Sequence, residues 1–256
     1  MLKKILFAIV GLIISCNLDL FSNETGTVTV PVSNFITGRF NFTESENFVN
    51  LKEYGIPCSV DAYLLKETAD ALKLMLDDFK KDHKNIKIYV ISGTRNFYTQ
   101  KRIWDEKWTG KRKVSGTADI TKITDPIQRA LKILEYSSMP GTSRHHWGTD
   151  FDINQLTNSY YEKGEGKIIY QWLKQNATKY GFAQPYTSDR TESVNGYQEE
   201  KWHWSYTPLS KKFLNIWNEL YQKDPSQFNK KGLFEGSDKV GDLAPIYVNT
   251  ISSDCK

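Results

Sequence analysis

The sequence predicts an α+β fold in which mixed helices surround a small antiparallel sheet. Helical and strand patterns follow one another without the regular strand–helix–strand rhythm of a doubly wound sheet. The chain has 256 residues, of which 39% are hydrophobic and 25% charged, as in ordinary globular proteins. This composition favours one well-buried domain with appendages and argues against a disordered or fibrous chain.

Apolar periodicity predicts the helices of this domain. The strongest pattern covers about 61–81, where apolar residues between Leu65 and Phe79 recur three and four positions apart on one face. Gly181 is suited to the left-handed C-cap of another helix. The remaining helices are predicted over about 98–108, 126–136, 167–180 and 208–222.

Two segments carry strand patterns. Residues 86–91 alternate β-branched, aromatic and polar side chains, and residues 202–206 form a short aromatic and polar run. We expect both segments to belong to the sheet.

The first sixteen residues have the features of an export signal. Two lysines precede an apolar run over 5–14, which is too short to cross a bilayer as a helix. The Ile-Ile-Ser-Cys sequence at 13–16 resembles the lipobox of bacterial lipoproteins. We therefore expect an exported envelope protein with a lipid anchor at Cys16, in the periplasm or on the outer surface. Simple signal cleavage and a retained apolar anchor are the alternatives.

The same features divide the chain into segments. We expect a signal segment over 1–16, a Ser/Thr/Asn-rich tether over 17–39, a folded domain over 40–230 and a loosely packed tail over 231–256.

The other two cysteines, Cys58 and Cys255, form an even pair in a chain expected to mature in an oxidising compartment. We predict a disulfide that ties the tail to the start of the domain. Two unrelated thiols are the alternative, because pairing cannot be read from a sequence.

The charge balance argues against a nucleic-acid binder. The net charge is only +4, and no run of five or six like charges occurs. We expect no nucleic-acid partner and a monomeric protein.

Three of the four histidines lie in two compact polar and aromatic motifs, at 143–152 and 199–204. A catalytic zinc takes three protein ligands from His, Asp, Glu or Cys and keeps one open position. His145, Asp152 and His203 supply two nitrogens and one oxygen, which is a suitable set.

Glu200 is the candidate general base, three residues before His203. Zinc lowers the pKa of a bound water, but a separate group must still accept the proton. Residues i and i+3 of a strand point to opposite faces, so a turn or bulge must bring the two side chains together.

The order and spacing of the motifs are distinctive. The pattern Ser-x-His-x-x-Gly-x-x-x-Asp covers 143–152, and Glu-x-x-His occupies 200–203. A third motif, Ser-Gly-Thr-Arg-Asn-Phe-Tyr-Thr-Gln at 92–100, precedes both. Together they resemble the VanY-type D-alanyl-D-alanine carboxypeptidases. In that family the motif Ser-Gly-x-Arg-x-x-x-x-Gln likewise precedes the histidine motif. The similarity extends over 40–206.

The resemblance implies a single zinc-peptidase domain with the Hedgehog/DD-peptidase fold. It implies hydrolysis of the D-Ala-D-Ala ends of peptidoglycan stem peptides, which would be the protein's partners. It also implies zinc on His145, Asp152 and His203, with Glu200 as the base.

The resemblance further implies that Arg95 binds the substrate carbonyl or the oxyanion that forms from it. Gln100 and Ser143 are implied to lie nearby as polar substrate contacts. A fixed guanidinium facing a developing oxyanion stabilises the transition state more than the ground state, which is the requirement for faster turnover.

Two residues of the histidine motif need separate interpretation. Asp150 departs from the family pattern, and His146 is a second histidine beside the expected ligand. Asp150 replaces a small apolar residue, and it either competes for the metal or orients a histidine. Asp152 alone has the family spacing from His145, which favours the second role for Asp150. His146 does not fit the ligand spacing and is expected to pack or to face the substrate.

The motifs define the chemistry more closely than the substrate. A peptidoglycan endopeptidase or D,D-dipeptidase with the same zinc centre is one alternative. A non-catalytic wall-binding lipoprotein is another, although it would have no reason to keep Glu200.

Overall fold

The structure, a computed structural model, describes residues 30–188 and 196–256. Pro31–Lys256 form one unit. Cys16, the lipobox and the signal segment lie outside the described residues. Within the described ranges, no helix is both long and apolar enough to cross a bilayer.

Two antiparallel sheets form the β part of the fold. Their strands are β1 (Phe48–Asn50), β2 (Tyr63–Leu65), β3 (Val90–Ser92), β4 (Asp150–Ile153), β5 (Phe182–Ala183) and β6 (His203–Tyr206). Strands β1 and β2 pair with each other, and the other four form a sheet with the order β3-β4-β6-β5. The predicted α+β class is confirmed.

The helices surround these sheets. They are α1 (Val32–Ile36), α2 (Lys66–Asp82), α3 (Phe97–Trp108), α4 (Pro126–Leu134), α5 (Gly164–Asn176), α6 (Thr207–Lys223), α7 (Ser226–Asn229), α8 (Ser237–Val240) and α9 (Ala244–Asn249). A short 3₁₀ helix, Arg144–Trp147, precedes β4.

One face of α2 packs in the main core with α5 and the four-stranded sheet. Leu72, Met75 and Phe79 of α2 are buried, as their spacing predicts. The ring of Phe79 meets that of Trp172 on α5 edge-on at 5.2 Å. This packing covers the sheet face that carries Phe151.

Element boundaries differ from the predictions in two places. The first long helix begins at Lys66 rather than near residue 61, because Tyr63–Leu65 pair with β1 instead. The strand predicted over 86–91 is confined to Val90–Ser92. The other helices lie close to their predicted positions, and Gly181 adopts the expected left-handed conformation with φ of 80°.

The folded part begins before the predicted boundary at residue 40. Helix α1 lies within the segment assigned to the tether, and its Phe35 and Ile36 are buried. The Phe35 ring meets Phe213 of α6 at 5.0 Å. The indole of Trp147 donates a hydrogen bond of 3.1 Å to the Ile36 carbonyl. Apolar burial therefore extends the domain to α1.

The expectation of a loosely packed tail over 231–256 is wrong. Phe234 is buried and meets Trp104 of α3 edge-on at 5.7 Å. Tyr247 of α9 meets Tyr197 at 5.2 Å. Glycine content suggested loops, but the apolar residues between the glycines reach the core.

The structure contradicts the predicted disulfide, because the Cys58 and Cys255 thiols are both free. Cys58 is half-buried and forms a backbone bridge with Val90. Cys255 is fully buried, and this burial raises the pKa of its thiol although the Arg144 charge opposes the shift. The two cysteines thus have separate packing roles.

Candidate metal and catalytic site

The three predicted metal ligands converge at the centre of the four-stranded sheet. Antiparallel pairing of β4 with β6 places Asp152 opposite His203. His145 lies in the 3₁₀ helix that leads into β4. One ligand atom from each residue lies within 4.8 Å of the others, and all three residues are buried.

The backbone turn after the 3₁₀ helix depends on Gly148. This glycine has φ of 70°, a left-handed conformation that other residues rarely adopt. A β-carbon here would lie 2.4 Å from the Phe48 ring. The glycine of the motif therefore allows the chain to turn from His145 into β4.

The tautomer of His145 follows from its hydrogen bond. Its Nδ1 lies 2.8 Å from the Gly93 carbonyl oxygen, which can only accept. Nδ1 therefore carries the hydrogen, and the neutral ring has its lone pair on Nε2. That atom lies 3.4 Å from Asp152 Oδ2.

His203 is oriented in the same manner by Asp150. Its Nε2 lies 3.0 Å from Asp150 Oδ1, which leaves Nδ1 directed toward the other site residues. Nδ1 lies 3.1 Å from Asp152 Oδ1 and 3.4 Å from Glu200 Oε2. A carboxylate behind a ligating histidine fixes the ring and raises its basicity.

These side chains fit a tetrahedral divalent cation. Metal–ligand distances of about 2.1 Å give a tetrahedron with edges of about 3.4 Å, and the Asp152 oxygens lie 3.4 and 3.1 Å from the two ring nitrogens. Asp152 Oδ1 is buried without a hydrogen-bond partner in the described part of the chain. A cation would satisfy this oxygen and would separate lone pairs that otherwise face each other.

The protonation states of Asp152 and His203 affect cation binding in opposite directions. Burial opposes the charge on Asp152, but His145 and His203 more than offset it and hold the pKa of this carboxyl well below its usual range. Burial lowers the pKa of His203, yet the carboxylates of Asp150, Asp152 and Glu200 around its ring bring the net direction upward. A metal ion therefore competes with a proton at His203.

A turn brings Glu200 beside His203, as the spacing requires. The His203 amide donates to the Glu200 carbonyl at 3.2 Å, just before β6 begins. Glu200 is buried, and this burial raises the pKa of its carboxyl above the usual value. A raised pKa suits a group that must accept and then release a proton near neutral pH.

Asp150 orients a histidine and does not join the ligand cluster. It is fully buried, and its oxygens accept from Arg144 Nε at 2.9 Å, Thr149 Oγ1 at 2.5 Å and Ser205 Oγ at 3.0 Å. Burial alone would raise the pKa of Asp150, but the Arg144 charge brings it well below its usual range. Of the two predicted roles of Asp150, the geometry favours the one in which it orients the His203 ring. Arg144 lies inside the histidine motif, yet the sequence does not reveal its role.

His146 joins two loops and does not face the cavity. Its Nδ1 donates to the Arg95 carbonyl at 2.7 Å, and its Nε2 accepts from the Gly141 amide at 3.1 Å. Burial lowers the pKa of His146 to about 3, so the ring stays neutral. The Arg95 amide also donates to the His145 carbonyl at 3.0 Å. The backbone of Arg95 is therefore held from both sides by the histidine motif.

A cavity of about 470 Å³ opens over the ligand cluster. Arg95 and Ser143 line it, as predicted for substrate contacts, and Arg95 Nε has no hydrogen-bond partner among the described residues. Gln100 does not line the cavity. Its amide lies behind the wall and donates to the Ser138 carbonyl at 2.7 Å, so the structure contradicts its predicted role as a direct contact.

Sequence reasoning missed several cavity residues. Lys107 and Arg112 line the cavity, and the Tyr186 ring lies 5.0 Å from the His203 ring. No motif marks these positions. The only available signal is the place of Lys107 in the last turn of a predicted helix.

Comparison with known sequences identifies the family. A family model described as VanY, D-alanyl-D-alanine carboxypeptidase, matches residues 61–209, which is more than half of the chain. The chain belongs to the VanY family. The match includes all three motifs around the ligand cluster.

Curated relatives agree with this assignment over part of their length. The chain is 31% identical over 152 residues to the putative carboxypeptidase YodJ of Bacillus subtilis, a match that covers 56% of the chain and 46% of the relative. It is 32% identical over 120 residues to a D-alanyl-D-alanine carboxypeptidase of Enterococcus faecalis, covering 47% and 40%. This VanY-family chain thus spans less than half the length of these two relatives.

Solved structures also resemble this VanY-family chain. VanYB in complex with D-alanine-D-alanine has a TM-score of 0.46 and 24% identity, and the match covers 64% of this chain and 81% of that one. The LdcB LD-carboxypeptidase has a TM-score of 0.48 and 25% identity, with coverage of 77% and 79%.

Proposed function

We propose that this protein is a zinc-dependent D,D-carboxypeptidase that hydrolyses the D-Ala-D-Ala ends of peptidoglycan stem peptides. Membership of the VanY family supports this reaction. The observation that carries the proposal is the meeting of His145, Asp152 and His203 in one buried cluster, with Glu200 beside it. A two-histidine, one-carboxylate set with an open side is a typical catalytic zinc site.

In the proposed reaction Glu200 transfers the proton, and the metal would activate the carbonyl and the water. Bound zinc would polarise the peptide carbonyl and lower the pKa of a coordinated water. Glu200 accepts a proton from the attacking water as its oxygen bonds to the carbonyl carbon. Glu200 then delivers that proton to the leaving amine nitrogen as the carbon–nitrogen bond breaks. Each cycle consumes one water and restores the Glu200 carboxylate.

Arg95 is the proposed oxyanion group. The carbonyl oxygen gains negative charge when water adds, and a preorganised cation stabilises that charge. The bonds from His145 and His146 hold the Arg95 backbone, and its Nε has no protein partner within the described ranges. Ser143 is proposed as a neutral contact beside it.

The location follows from the proposed substrate. A wall peptidase works in the cell envelope, and we propose that a lipid on Cys16 holds this one at a membrane as a monomer. Mass spectrometry of the exported protein tests the anchor, since a diacylglycerol on Cys16 adds a defined mass that a Cys16→Ser variant lacks.

The decisive test of the proposed function measures D-alanine release from a stem pentapeptide. The wild-type protein should release D-alanine, and a chelator should abolish the activity. Glu200→Gln should lower kcat by roughly 10²- to 10⁴-fold with unchanged zinc content. Glu199→Gln is the matched control. Glu199 is the adjacent residue, but its carboxylate lies 3.8 Å from Lys201 Nζ and does not line the cavity.

Two results would contradict this proposal. One is full activity of Glu200→Gln, and the other is zinc binding without hydrolysis of any wall fragment. Release of a dipeptide, or cleavage of cross-linked fragments with no D-alanine release, would instead assign the same centre to a different wall bond.

A further inference from the structure

Several cations line the cavity over the ligand cluster. Lys107, in the last turn of α3, lines the cavity together with Arg112 and Lys113 from the loop that follows. The same cavity contains Asp152 and Glu200 of the proposed catalytic centre. A ligand in this space can therefore contact both the proposed catalytic centre and these cations.

Lys107 lacks the carboxylate partner that two other cations lining the cavity have. Arg112 pairs with Glu106 at 3.0 Å, and Lys132 pairs with Glu135 at 2.7 Å. Lys107 donates to the neutral Ser137 hydroxyl at 2.5 Å. Across 30–188 and 196–256, no carboxylate lies within ion-pair distance of its Nζ.

The surroundings of Lys107 disfavour its charge when the cavity holds no anion. Burial lowers the pKa of Lys107 to about 8, the Arg112 and Arg95 charges act in the same direction, and Glu200 opposes them. A partly buried ammonium without an anionic partner is costly. A bound anion would remove that cost, so the cavity is suited to a negatively charged ligand group.

We propose that Lys107, with Arg112 beside it, forms a subsite for a carboxylate of the peptide substrate. The proposal rests on the proposed peptidase function and deepens it by assigning the substrate class. Every carboxypeptidase substrate has a terminal carboxylate next to the bond that is cut, whereas a bond inside a cross-linked chain has none there. A side-chain carboxylate of the stem peptide is a second source of the same chemistry.

Steady-state kinetics with matched peptides tests the subsite. Wild type, Lys107→Met and Lys107→Arg are compared on a pentapeptide with a free terminal carboxylate, on its C-terminal amide, and on versions with and without a side-chain carboxylate at the third residue. Lys111→Met is the control, because Lys111 is exposed and does not line this cavity. Zinc content and thermal midpoint are measured for each variant.

We expect Lys107→Met to raise KM for the free-carboxylate peptide by about ten- to a hundredfold, since hydrogen bonds to charged groups contribute this much. Turnover should change little, and Lys107→Arg should restore most of the affinity. Loss of discrimination between acid and amide assigns the subsite to the terminal carboxylate. Loss confined to peptides with the third-residue carboxylate assigns it to the side chain.

Unchanged KM for Lys107→Met on every peptide would overturn the subsite. A lysine in the last turn also complements the helix dipole, so a lower thermal midpoint with unchanged KM would show that Lys107 serves only the helix. Failure of the wild-type protein to hydrolyse any peptide would overturn the proposed function instead. The two failures are therefore distinguishable.

Discussion

Two parts of the cavity wall are built in different ways. The ligand wall, formed by His145, Asp152, His203 and Glu200, lies on or beside the sheet, and its residues are 2–6% exposed. The basic wall, formed by Lys107, Arg112 and Lys113, lies at the end of α3 and in the following loop, and all three residues are partly or largely exposed.

The two walls differ in how firmly their side chains are held in position. Strand pairing and buried hydrogen bonds fix each side chain of the ligand wall, as Asp150 does for His203. The basic wall depends on long, flexible side chains. We infer that the chemistry is set by the rigid sheet, whereas substrate preference can change by substitution in the helix end.

The ligand wall should be the more sensitive of the two. Asp152→Ala removes the carboxylate between the two ring nitrogens, so we expect loss of bound zinc and a fall in kcat/KM of at least about a thousandfold. Metal analysis and D-alanine release measure the two effects. Glu46→Ala is the control, because Glu46 is an exposed carboxylate that does not line the cavity. Retention of one zinc per chain by Asp152→Ala would refute the assigned ligand set.

Asp150→Asn tests the support behind the ligand wall. The substitution keeps the shape but weakens the bond to His203, and we expect roughly ten- to a hundredfold weaker zinc affinity. It also leaves the buried Arg144 without its ion-pair partner, which should cost about 3–5 kcal/mol of unfolding free energy. Competition with a chelator and chemical denaturation measure these quantities. Unchanged zinc affinity would mean that Asp150 stabilises the fold without tuning the metal site.

The basic wall should give the smaller, pH-dependent effect. Because the pKa of Lys107 is about 8, its positive charge is present below that value and is lost as the pH rises through it. KM for a free-carboxylate peptide should therefore rise severalfold above about pH 8 in the wild type. In Lys107→Arg it should stay flat, since arginine keeps its charge. Equal KM profiles for the two proteins would place the titration elsewhere in the site.

The same contrast explains what the sequence could predict. His145, Asp152, His203 and Glu200 lie in motifs that offer a suitable ligand set and resemble those of a known family, so their meeting could be predicted before the structure was known. Lys107 has no motif, because its role depends on how α3 lies over the cavity. Gln100 shows the opposite error, since it belongs to a motif but supports the wall from behind.

Boundaries were predicted less well than the site for a related reason. Local pattern could not show that Tyr63–Leu65 pair with β1, or that Phe234 reaches the rings of α3, because both depend on partners distant in sequence. The cysteine prediction was wrong for the same reason. An even number of thiols does not say which of them lie close together.

If Cys16 carries the proposed lipid anchor, the contacts of helix α1 determine which protease cuts would release an intact domain. Trp147 lies in the same 3₁₀ helix as His145. Its indole donates a hydrogen bond to the Ile36 carbonyl of α1. Cleavage before Pro31 would shed a domain with this contact intact. Cleavage beyond Ile36 would strip a buried support from the histidine segment, so the position of a single cut decides between a liberated hydrolase and an inactive fragment.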